Sequence, residues 1–241
     1  MMQFIWQPSP NHNERLSPEG EVIKPDMVMM HYTGMETGEA ALQRLCDPDA
    51  GVSAHYLVME DGQIYQLVDE AKRAWHAGVS YWQGITDNNA RSIGIEIVNP
   101  GHEFGYCEFP KEQIDAVIDL TKGIMMRHKI HSNCVVGHSD VAPDRKQDPG
   151  ELFPWQRLAD EGIGQFPIPQ DNDDQAFTLL KADNNVVSAL NSYGYGPLDR
   201  MLTDESFLKD VITAFQRRFD PTNITGQWNS SCQRLLSSLL G

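Results

Sequence analysis

The chain has little positive charge and no long apolar run. Its 19 Lys and Arg stand against 34 Asp and Glu, a formal net charge of −15. Phosphate recognition needs clustered cations, so this balance argues against a nucleic-acid binder and equally against electrostatic adhesion to anionic lipid. No stretch of about 18 apolar residues occurs, so no helix is predicted to span a membrane. Cysteine is scarce: Cys46, Cys107, Cys134 and Cys232 share no CxxC spacing and read as separate thiols rather than a disulfide framework. The opening segment MMQFIWQPSPNHNER has no basic n-region, apolar h-region or lipid-accepting Cys, and on that ground the sequence reads as cytoplasmic. There is no internal repeat and no low-complexity tract.

What is present is ordinary globular material, 40% hydrophobic and 22% charged over 241 residues. That length suits one large domain, or a medium one and a small one. Residues 1–26 read as an irregular arm. MVMMHY (27–32) is a short apolar run, predicted to be a buried strand. A helix is expected over 37–46, then a hairpin from HYLVM (55–59) and QIYQL (63–67) turning at Glu60-Asp61-Gly62. Residues 68–91 read as a loop rich in Trp75, His76, Tyr81 and Trp82. IGIEIV (93–98) alternates, with Ile93, Ile95 and Ile97 on one face and Gly94, Glu96 and Val98 on the other. A helix over 111–128 carries Ile114, Val117, Ile118, Thr121, Ile124, Met125 and His128 as one stripe, and CVVG (134–137) is another short strand. These mixed elements predict an α/β (α+β) domain over 1–165, a mixed central sheet flanked by helices. FPIPQDNDDQ (166–175) changes character and reads as a linker. Residues 176–241 suit a small three-helix unit. One helix would end at Gly194, a second would be capped by Thr203, and a third would run over 225–240.

Three residues suggest chemistry. His31 and His138 each lie at the end of a short apolar strand, and Asp148 follows in a loop rich in Pro and Gly. Two His and one carboxylate leave a fourth zinc position for water, the catalytic rather than the structural pattern. Glu96 stands alone among isoleucines, where an unpaired carboxylate is costly; it is either a working acid–base group or the partner of an Arg such as Arg91. Lys146 is either a cation for a developing oxyanion or a solvated surface charge. From spacing alone, His12, His55, His76, His102, His128 and His131 compete as ligands.

The segment GHSDVAPDRKQDPG (137–150) resembles the hallmark loop of the type 2 N-acetylmuramoyl-L-alanine amidases, a family related to phage T7 lysozyme and to peptidoglycan recognition proteins. VMMHYTG (28–34), VSAHYLV (52–58) with RAWHAGVSYWQG (73–84), and SIGIEIVNP (92–100) agree in order, so the resemblance spans roughly residues 10–160. It implies Zn2+ held by His31, His138 and Asp148, Glu96 as catalytic acid–base, and Lys146 at the transition state. It further implies peptidoglycan fragments or muropeptides as partners, with Tyr32, Arg73, Trp75, His76 and Arg91 as residues that meet substrate or serve as scaffold. Tyr32 stands where the recycling enzymes of the family usually have Asn, a wording nearer the lipoprotein-type branch. That branch adds a periplasmic or outer-membrane-associated alternative to the cytoplasm. AFQRRFDP (214–221) is similar to a three-helix peptidoglycan-binding domain, with a helical cap as the other reading. A monomer is expected. The rivals are a binding module without catalysis, a metallopeptidase, which the lack of HExxH disfavours, and a structural zinc site completed by Cys134 or His131.

Overall fold

The computed structural model describes residues 4–17, 19–167 and 183–241 of the chain. Strands β1 (Ile5–Trp6), β2 (His12–Glu14) and β3 (Met27–Tyr32) precede helix α1 (Gly38–Cys46); β4 (Tyr56–Val58), β5 (Ile64–Gln66) and β6 (Lys72–Ala74) follow. Then come a helical turn α2 (Asn88–Arg91), strand β7 (Ser92–Ile97), a second turn α3 (Gly101–Phe104) and the long helix α4 (Lys111–His128). Strand β8 (Val135–Gly137) leads into a turn α5 (His138–Val141), and α6 (Trp155–Asp160) closes this part. The helical unit comprises α7 (Asp183–Tyr193), α8 (Leu198–Thr203), α9 (Glu205–Phe219) and α10 (Ser230–Leu240).

The sheet order is β1-β5-β4-β7-β3-β8, and β2 pairs separately with β6. The run β4-β7-β3-β8 is parallel, while β5 is antiparallel to β4, as the hairpin requires. A mixed sheet between helices is therefore both the expected and the observed class. Period-two alternation sorts the side chains. Val28 and Met30 of β3 and Ile93, Ile95 and Ile97 of β7 pack with Ile114, Val117, Ile118 and Ile124 of α4. Met27 and Met29 point the other way and join Val187, Leu190, Val211, Phe215, Phe219 and Leu236 in a second cluster. A short helical segment that could bury little by itself thus shares its core with the sheet, and the result is three layers.

Several local expectations change. The arm over 1–26 is not irregular throughout. Ile5 and Trp6 add to β5, and His12–Glu14 pair antiparallel with β6 inside the segment read as a loop. Arg15 fastens the arm: its guanidinium, 1% exposed as a residue, donates to the carbonyls of Ala90 (2.6 Å) and Lys72 (2.6 Å). Thr203 does not cap the second C-terminal helix. It ends the additional helix α8, and its hydroxyl donates to the Asp199 carbonyl. The cap of α9 is Asp204, whose carboxylate accepts from Phe207 N–H. The last helix begins at Ser230 with Asn229 as cap. Thr225 and Gly226 N–H groups instead donate to Gln216 Oε1, which holds 225–229 as a turn. Gly194, at φ +150, ends α7 as expected. Of the 166–175 linker, residues 168–175 lie outside the described residues, while Phe166 packs against both clusters.

The helical unit is tied to the sheet by charge as well. Arg218 of α9 donates to Asp140 Oδ2 (2.5 Å) and to the Val135 carbonyl (3.0 Å). Asp140 also accepts from Tyr195 Oη (2.7 Å) and from Gly137 N–H (2.8 Å). Both charged side chains are all but fully buried. Removing one partner strands a charge, so Arg218→Met is expected to cost about 3–5 kcal/mol in chemical unfolding. A cost below about 1 kcal/mol would show that this pair does not hold the layers together.

Candidate metal centre

His31 is the fifth residue of β3 and Glu96 the fifth of β7, and the parallel register makes them direct neighbours. Counting by two from Met27 and Met29 puts His31 on the face opposite α4. His138 is the first residue after β8. All three lie at the carboxyl ends of parallel strands, where open α/β sheets form their clefts. Asp148 is drawn in by a folded-back loop: Ser139 N–H donates to the Asp148 carbonyl (2.9 Å), and Lys146 N–H to the Ala142 carbonyl (3.0 Å). The Gly137–Asp140 hydrogen bond sets the turn that presents His138, so the helical unit supports the site through Arg218.

Three atoms converge. His31 Nδ1 is 3.0 Å from His138 Nδ1 and 2.9 Å from Asp148 Oδ2, and His138 Nδ1 is 3.0 Å from the same oxygen. All three residues are buried, and among the described residues they are the one group of His, Cys, Asp or Glu arranged to hold a metal. Burial, then the neighbouring His138, lowers His31 to about 4, so its ring is neutral at ordinary pH. His138 Nε2–H donates to the Ala77 carbonyl (3.0 Å), and in the neutral ring Nδ1 is then the lone pair. Electron-rich atoms facing one another at this spacing fit a shared cation. Cys134 and His131, the residues that would complete a structural site, do not join them.

Among the described residues Glu96 has no ion pair, and its Oε2 is buried without a hydrogen-bond partner. Burial first, then the Asp148 charge, pushes its carboxyl well above the ordinary range, with Lys146 opposing. Arg91 is not its partner. That guanidinium forms a two-point pair with Asp26 (2.7 and 2.9 Å) beside β3 and does not line the cleft. Arg73 likewise pairs with Asp87 (2.8 Å) and stays outside. The cleft, about 380 Å³, is lined by the triad, Glu96, Lys146, Tyr32, Trp75 and His76, and also by Arg44 and Arg145. The last two escaped the sequence reading. Arg145 was visible beside Lys146, and its guanidinium donates to the Ala77 carbonyl (3.0 Å). Arg44 carried no signal, because only the packing of α1 brings it to the cleft. Tyr32 Oη lies 2.8 Å from His102 Nδ1, and Trp75 Nε1 donates to Asn13 Oδ1 (3.0 Å).

A mixed sheet that presents two histidines, an aspartate and a buried lone carboxyl at its carboxyl edge defines a hydrolase-type centre. The family model for N-acetylmuramoyl-L-alanine amidase matches residues 21–151. The chain belongs to the type 2 N-acetylmuramoyl-L-alanine amidase family and is an enzyme that hydrolyses the amide bond between N-acetylmuramic acid and L-alanine. It is 37% identical over 235 residues to the N-acetylmuramoyl-L-alanine amidase AmiD of Escherichia coli K12, covering 89% of this chain and 82% of that one. It is 35% identical over 168 residues to the 1,6-anhydro-N-acetylmuramyl-L-alanine amidase AmpD of Enterobacter cloacae, covering 63% of this chain and 86% of that one. A solved complex of E. coli AmiD with the substrate anhydro-N-acetylmuramic acid-L-Ala-D-gamma-Glu-L-Lys superposes with a TM-score of 0.79 and 33% identity, covering 95% of this chain and 97% of that one. No helix of the described residues is long and apolar enough to cross a membrane.

Proposed function

We propose that the triad holds zinc and that Glu96 and Lys146 carry the acid–base and electrostatic parts of the hydrolysis. The observation that carries this is the convergence of His31 Nδ1, His138 Nδ1 and Asp148 Oδ2 within 3.0 Å beside the Glu96 carboxyl, whose Oε2 is buried without a partner among the described residues. Zinc takes nitrogen and oxygen ligands at about 2.0–2.2 Å, so tetrahedral ligands sit roughly 3.3 Å apart, and the triad needs little adjustment. Bound zinc supplies a Lewis acid that lowers the pKa of water and polarises a carbonyl. Glu96 takes a proton from the attacking water and returns it to the L-alanine nitrogen as the amide breaks. A carboxyl with a raised pKa suits both directions of transfer near neutral pH. Lys146, whose ammonium forms no hydrogen bond among the described residues, faces the carbonyl oxygen as charge develops there.

Residues 1–165 form the catalytic unit in this reading, and 176–241 a helical partner whose similarity to peptidoglycan-binding domains supports a role in holding glycan. The substrate bound to E. coli AmiD supports anhydro-muramoyl peptides as one substrate. Trp75 and Tyr32 offer flat faces to sugar, and Arg44, whose guanidinium has no ion pair among the described residues, is offered to a stem-peptide carboxylate. Arg44→Ala is expected to raise KM about three- to fivefold with kcat nearly unchanged, worth ~1 kcal/mol for an exposed charge. Incubation with anhydro-muropeptide and with intact sacculi tests the reaction. Mass spectrometry is expected to find an intact stem peptide with a free L-alanine amino terminus. Peptides cut between amino acids would sink the reading in favour of a peptidase.

A further inference from the structure

The two ligand histidines are held differently. His138 is oriented by a backbone carbonyl, that of Ala77. His31 is oriented by another imidazole: its Nε2 lies 3.0 Å from His76 Nδ1. Two ring nitrogens in contact share one proton, and the surrounding hydrogen bonds decide which ring carries it. His76 Nε2 is 3.3 Å from Ser92 Oγ. The Ser92 hydroxyl proton is already given to the Asn88 carbonyl, at 2.5 Å. Towards His76, therefore, Ser92 Oγ can only accept. His76 must carry its proton on Nε2, its Nδ1 is bare, and the shared proton belongs to His31 Nε2. His31 Nδ1 is left as the lone pair that faces His138 and Asp148.

The ring of His76 is also confined. A Cβ built on Gly94, the β7 residue beneath it, would lie 2.6 Å from the imidazole, so only glycine leaves the space. Gly94 N–H donates to His55 Nδ1 (3.0 Å), which fixes the strand from its other neighbour. The His76 backbone N–H donates to Asn89 Oδ1 (2.9 Å).

We propose that His76, held by Ser92, is a positioning residue that keeps the His31 proton on Nε2 and so keeps Nδ1 open to the metal. This reassigns His76 from substrate contact to support of a ligand, and it rests on the reading of the triad as a metal site. Outer partners of metal-bound histidines typically hold 10–100-fold in affinity.

Long-range ¹H–¹⁵N NMR of the metal-free wild-type protein reads the tautomers directly and needs no variant. Both His31 and His76 are expected as Nε2–H rings; His76 found as Nδ1–H or as a cation would overturn the proposal. Zinc affinity by chelator competition is the second readout. His76→Leu is expected to bind zinc 10–100-fold more weakly. His76→Asn places an amide oxygen near the position of Nδ1 and is expected to recover affinity to within about threefold of wild type. Undiminished affinity in His76→Leu, or equal losses in both variants with both folded, would contradict it. Neither measurement uses turnover, so an inactive enzyme would count against the amidase mechanism and leave this inference standing.

Discussion

Glu96→Gln is expected to lower kcat on anhydro-muropeptide by about 10²–10⁴-fold while a full equivalent of zinc stays bound. Glutamine keeps the size of the side chain and removes its capacity to take a proton. Glu96 touches neither ligand histidine through a hydrogen bond, and its Oε2 has no partner to lose, so the substitution leaves the triad unchanged. It also removes a carboxyl that burial and Asp148 both disfavour in its charged form. The folded protein is therefore expected to be as stable as the wild type or slightly more so. Loss of activity with gain of stability would mark a group retained for chemistry. Steady-state kinetics, metal analysis and chemical unfolding on the same preparation separate these effects. Near-normal turnover would remove Glu96 from the mechanism.

His138→Ala is expected to act on the metal itself. Two ligands would remain of three, and zinc affinity is expected to fall by more than the roughly 100-fold that an outer partner costs, with activity lost alongside. The fold should survive, because the Ala77 carbonyl freed by the substitution still accepts from Arg145 Nη2 (3.0 Å). Chelator competition with far-UV circular dichroism checks both halves. A variant that retains zinc at wild-type affinity would show that the ligand set differs from His31, His138 and Asp148.

The triad and Glu96 were readable in the sequence for a physical reason. His31 and His138 each end a short apolar run and Glu96 stands inside one, and a polar residue there is conspicuous; Asp148, in a polar loop, is picked out only by the motif. The motif loop then selected His138 and Asp148 from among eight histidines and many acids. What could not be read depends on register and packing. That His31 faces His76 follows from how β3, β7 and the segment after β6 align, and no spacing encodes it. Arg91 and Arg73 have the composition of cleft residues, yet Asp26 and Asp87 hold them elsewhere. The two- and three-residue strands of the arm are too short to show a period. Thr203 and Asp204 are both good caps, and the choice between them turned on α8, which the pattern of apolar residues did not reveal. The helical unit read as a separate bundle because its sequence cannot show that Met27, Met29 and Val136 complete its core.

The most direct test of the proposed centre is a zinc titration of the metal-free protein, followed by release of L-alanine-terminated peptide from muropeptide. Activity is expected to rise linearly from zero and to break at one equivalent of zinc per chain. Activity that is full without zinc, or that rises without a break near one equivalent, would contradict a single catalytic zinc at His31, His138 and Asp148.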